Sequence, residues 1–187
     1  MRSLAITPCE VQELDRSEVS QALRARDDSD HEERIDRLAE LIDLLPADGL
    51  LGFHGQAAEW LFDDVKATWI YGAFTSTVLT AHAFCMVQLA GRMRLLQDNP
   101  RLPVEAESLE HLARLAAEAG IIDADAHAQV VQLHDRSRTY VPANLHRHEL
   151  QLERHISETE QVTDEPPLLL DARQALRTAA ALVDRRP

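Results

Sequence analysis

The stretch 109-LEHLARLAAEAGIIDADAHAQVVQLHDRSR-138 carries two helix patterns back to back, and the rest of the chain is read outward from it. Ser108 stands where an N-cap belongs, and Leu109, Leu112, Leu115 and Ala116 recur at helical spacing as a buried stripe. Gly120 follows as a C′ residue, with Ile121 and Ile122 placed to tuck under that cap. Asp123 then caps a second helix whose inner face is Ala126, Val130, Leu133 and Ser137. Five residues, "AGIID", join the two, so the pattern predicts a tight antiparallel αα-hairpin that ends near Tyr140, Val141 and Pro142.

The flanks read the same way. Upstream, "QAAEWLFDDVKA" predicts a helix from Gln56 to Ala67, extending to Tyr71, with Trp60, Leu61, Val65 and Trp69 offered to the core. Gly72 is the break before a helix over Ala73 to Gln97. Earlier still, Asp30 is a candidate cap for "HEERIDRLAELIDLLP", whose stripe is Ile35, Leu38, Leu41, Ile42 and Leu45. Residues 1 to 30 form an arm of short helices, broken by the charges of "RARDDSD". Downstream, "LHRHELQLERHISETE" restarts a helix after Asn144. Asp164, Pro166 and Pro167 open a last one with Leu169, Ala172, Leu176, Ala179 and Val183 on one face.

These elements predict an all-α protein, an up-and-down bundle of about five main helices over residues 31 to 160. An amphipathic helix in 161 to 187 packs on it. Composition agrees. The chain has 187 residues, six glycines and 45% apolar content, enough for one core and rich in helix formers. Residues 67 to 91 hold no formal charge for 25 positions, a length that suits a bilayer. Four threonines, Ser76, His82 and Gln88 within it are costly in lipid, so a surrounded bundle helix is predicted and no membrane partner. Cys9 and Cys85 make no disulfide framework, and the N-terminal residues contain no apolar leader core, so a cytoplasmic setting is expected.

A net charge of −13 disfavours RNA on the surface as a whole. The local exception is 130-VVQLHDRSRTYVPANLHRHE-149, with three arginines and three histidines against two acids. "HELQLERH" begins like HExxH but has Leu152 in place of the second histidine. His148 and His155 lie seven apart, about 10 Å along a helix. No metal site and no cofactor follow from these spacings.

The helix after "WLFDDVKATWIYGAFTSTVLTAHAF", the hairpin and the break at "TYVP" together resemble the HEPN superfamily, all-α bundles of prokaryotic ribonucleases and toxin–antitoxin pairs. The resemblance covers about residues 55 to 150. It implies a homodimer whose hairpin ends in an arginine, with four to six residues between that arginine and a histidine. Counting from Arg136, that histidine is replaced by Val141, Pro142 or Ala143; counting from Arg138, His146 falls one position late. The resemblance therefore implies a non-catalytic module that dimerises and binds a protein partner, in a defence or toxin–antitoxin setting. A second reading keeps metal-independent endoribonuclease activity, with Arg138 holding the scissile phosphate and His146 moving the proton. A third is an acidic, antitoxin-like inhibitor. Arg136, His134, His148 and His82 are the candidate binding residues. For His82, a hydrogen bond to a backbone carbonyl or a threonine is the simplest expectation.

Overall fold

The computed structural model describes residues 16–45, 51–96, 108–141, 155, 157 and 165–185. Expectations for the start of the arm, the helix after Asn144, and the residues Cys9, His146 and His148 lie outside these. Seven helices occur among the described residues: α1 Arg16–Ser29, α2 His31–Leu44, α3 Gln56–Ile70, α4 Phe74–Leu95, α5 Leu109–Glu118, α6 Ala124–Tyr140 and α7 Pro167–Ala181. The class is all-α, with seven helices where about five were expected. Among the described residues the one extended feature is a two-residue antiparallel ladder, β1 Leu51–Gly52 against β2 Asp184–Arg185.

The hairpin of α5 and α6 closes with the chemistry its sequence carries. Ser108 accepts from the His111 amide at 3.1 Å and Asp123 from that of Ala126 at 2.8 Å. Each thereby satisfies one of the amides that a helix start leaves unpaired. At the turn, Gly120 takes φ +70°, a conformation costly for any residue with a Cβ. Amides 120 and 121 then reach back to the carbonyls of Ala117 and Ala116, at 3.0 and 2.9 Å. Leu109, Leu112, Ala116, Val130 and Leu133 are buried as expected.

Helix α4 is the axis of the bundle and contacts α3, α5, α6 and α7. Its apolar content on nearly every side follows from that position. Val78, Ala81, Phe84, Cys85 and Leu89 are fully buried, and Phe84 meets Phe62 of α3 at 5.2 Å between ring centroids. Cys85 belongs to this core, and burial pushes its thiol far above the ordinary range. Thr77 and Thr80 return their hydroxyls to the carbonyls of Ala73 and Ser76. No helix of the described residues is long and apolar enough to cross a membrane.

One buried polar side chain ties α4 to both strands' surroundings. The Gln88 amide donates to the Gly52 carbonyl at 3.2 Å and to that of Leu182 at 3.1 Å. Its oxygen accepts from the His54 amide at 3.0 Å. Arg92, one turn on, adds a second donor to Leu182. The approach is close enough that a Cβ at Gly91 would lie 2.4 Å from that of His54, which explains a glycine inside this helix.

Helix α2 departs from its predicted orientation. Leu41 is buried, but Ile35, Leu38 and Ile42 are exposed, and the face turned to the bundle is Arg34, Arg37, Leu41 and Leu44. Two reciprocal bonds hold it there: Trp69 Nε1 donates to the Arg37 carbonyl at 2.9 Å, and Arg37 Nε to that of Ile70 at 3.0 Å. The Arg37 guanidinium also lies 5.8 Å from the centre of the Phe74 ring. Trp60, expected in the core, is exposed, and Phe62 takes its place. The "RARDDSD" charges do not interrupt α1. They are solvated, and Arg26 pairs with Asp30 one turn on, an arrangement that supports a helix. Asp30 receives no amide on its side chain; it is the single turn residue between α1 and α2, and its backbone bonds to Arg26 and Arg34 at 3.0 Å.

Candidate functional site

The residues singled out around the end of α6 separate into two clusters. Arg138 is in neither: it is exposed in the last turn of α6, where a cation complements the helix dipole. Its expected partner, His146, lies outside the described residues.

The first cluster joins Arg136 and Tyr140 of α6, Asp171 of α7, and His155. Arg136 and Tyr140 are four apart and so share a face. Asp171 is the only acid in α7 and stands beside buried Ala172 and Ala175. Its Oδ2 lies 2.6 Å from Tyr140 Oη and 2.6 Å from His155 Nε2. Arg136 Nη1 is 2.7 Å from His155 Nδ1, and its Nε is 3.6 Å from Asp171 Oδ1. Guanidinium groups only donate, so Nδ1 must offer its lone pair and Nε2–H must donate to the carboxylate. The imidazole is thereby held in one orientation, with both nitrogens engaged. Burial and the adjacent Asp171 push the Tyr140 phenol well above its ordinary pKa, so it stays a donor. His155 is 7% exposed and Asp171 9%. These groups satisfy one another inside the bundle and cross-link α6 to α7.

The second cluster joins His82 of α4 to His134 of α6, two of the candidate binding residues. Nε2 of His82 faces Nδ1 of His134 at 3.3 Å, with the rings stacked 28° apart. The expected carbonyl or threonine partner is not used; Thr77 and Thr80 of α4 turn their hydroxyls onto their own helix. Facing nitrogens share one proton, one donating and one accepting. Burial, then the neighbouring His134, lowers the His82 pKa below its ordinary 6.5. The unfolded chain therefore takes up this proton first as acidity rises. The associated stability is full above pH 6.5 and is lost as pH falls through the lower folded value. Denaturant titrations on either side of that pH are expected to show a midpoint that rises with pH. The slope is expected to flatten in His82→Phe, which keeps the stacked ring but cannot titrate.

Arg136 and Asp171 also border a cavity of about 610 Å³ between α2, α6 and α7. Among the described residues, no group of three or more His, Cys, Asp or Glu is arranged to hold a metal ion. Sequence reasoning missed Asp171, Tyr140 and the role of His155. The available signal was a lone acid on the inner side of an otherwise apolar helix face. Comparisons with protein-family models, with curated proteins and with solved structures find no match to this chain.

Proposed function

We propose that this chain is a non-catalytic, HEPN-like helical module that acts by association, and that the exposed face of α2 is covered by a second copy of the chain. The observation that carries this reading is the stripe itself. Ile35, Leu38 and Ile42 are 47%, 42% and 62% exposed, although their sequence pattern is that of a buried face. With half-buried Leu45 they recur at three, four and three, the alternation of a two-helix seam, which is narrower than the face a helix lays on a globular core. A seam of this kind is complementary to its own copy across a two-fold axis. The histidine clusters support the non-catalytic part, because neither nitrogen of His155 is left to move a proton.

Sedimentation at micromolar concentration is expected to give twice the 21.0 kDa of one chain. The double variant Leu38→Lys, Ile42→Glu is expected to sediment as a single chain with an unchanged helical circular dichroism spectrum. A parent protein that sediments as one chain would overturn the association. Incubation with mixed RNA in EDTA is expected to leave the RNA intact. Cleavage that disappears in His146→Ala or His155→Ala would establish the ribonuclease reading instead.

A further inference from the structure

The cavity between α2, α6 and α7 is a site that the association reading does not use. Arg173, Gln174 and Arg177 recur on one face of α7, Gln132 and Arg136 on one face of α6, and Glu40 enters from α2. We propose that this cavity binds a small phosphomonoester, its phosphate held by Arg136, Arg173 and Arg177.

The wall is unusual for this protein. In a chain of net charge −13, three of its arginines converge on one concave surface. Two carboxylates share the wall with them: Asp171 lies 3.6 Å from Arg136 Nε, and Glu40 serves both arginines of α7, its Oε1 lying 2.8 Å from Arg173 Nε and 3.6 Å from the Arg177 guanidinium. Glu165 reaches Arg173 from outside the wall. The Arg177 side chain is 52% exposed and that of Arg136 40%, so both heads are within reach of a ligand. Guanidinium forks match phosphate oxygens two at a time, and a phosphate dianion outcompetes a single carboxylate for two of them. Gln132 and Gln174 add neutral donors and acceptors for the remainder of the molecule. A volume near 610 Å³ is that of a small-molecule site. The net charge of −13 opposes a long polyanion. Glu40 already engages Arg173 and Arg177 and therefore competes with the ligand.

Calorimetry on the full chain tests this with adenosine monophosphate as the probe. Binding is expected for the monophosphate and not for adenosine, and inorganic phosphate is expected to compete. Arg177→Gln is expected to weaken binding about tenfold or more, the loss of a hydrogen bond to a charged group. Glu40→Gln is expected to tighten it. Arg114→Gln removes the same charge from α5, where Arg114 pairs with Glu118 at 2.6 Å, and is expected to change nothing. The proposal is overturned by silent titrations, by adenosine binding as well as its monophosphate, or by phosphate failing to compete. It is equally overturned if Arg114→Gln weakens binding as much as Arg177→Gln, or if a 5′-phosphorylated RNA oligomer binds more tightly than the mononucleotide.

Discussion

Asp171→Ala is expected to lower the unfolding free energy by about 3–5 kcal/mol, the loss typical of removing one member of a buried, hydrogen-bonded charged group. The carboxylate accepts from Tyr140 and from His155 and lies 3.6 Å from the Arg136 guanidinium. Without it, a buried phenol and a buried imidazole N–H lose their acceptor together, and Arg136 loses its counter-charge. Asp171→Asn keeps one acceptor oxygen for the phenol and the imidazole, so its loss should be the smaller of the two. Chemical denaturation of both variants orders them. If the alanine variant stays within about 1 kcal/mol of the parent, comparable to a single ordinary hydrogen bond, the cluster does not join α6 to α7 in any energetic sense.

Gln88→Leu is expected to cost about 3 kcal/mol, with the melting temperature falling by roughly 10 °C for a chain of this length. Leucine is close to glutamine in volume, so no cavity accounts for the loss. What remains is the buried Gly52 carbonyl and the part-buried His54 amide, both losing this partner. The Leu182 carbonyl keeps its bond from Arg92 at 2.6 Å. A thermal melt read by circular dichroism checks the figure. A leucine variant as stable as the parent would mean that water or a backbone shift resupplies both groups.

Local chemistry explains how much of this architecture could be read from the sequence. The α5–α6 hairpin was legible because Ser108, Gly120 and Asp123 each act within a few residues of their own position. The opening of α7 at Pro166 and Pro167 was legible for the same reason, since proline fixes its own φ and needs no distant partner. The orientation of α2 was not. Periodicity shows that Ile35, Leu38 and Ile42 share a face, but it does not show whether that face meets the bundle or some other surface. The answer depended on Trp69, 32 positions from Arg37. The candidate site failed in the same way. Arg136 and Asp171 come together only through the packing of α6 on α7, and no spacing rule relates them. His82 and His134, 52 positions apart, were picked out one by one, and nothing in either local pattern paired them. Arg138 was singled out by motif counting; it is exposed in the last turn of α6, and its expected partner His146 lies outside the described residues.

The Gln88 clamp also bears on the order in which this molecule assembles. The amide on α4 finds one acceptor 36 positions upstream and another 94 positions downstream. Helices α3 to α6 contact one another, but the second acceptor of this α4 side chain comes from the end of the last helix. Docking of α7 brings that carbonyl, and with it the strand that pairs with Leu51 and Gly52. Long-range closures of this kind are the slow events of folding. The last helix is therefore the latch of the bundle, because its end supplies both the second acceptor for Gln88 and the strand that closes the ladder.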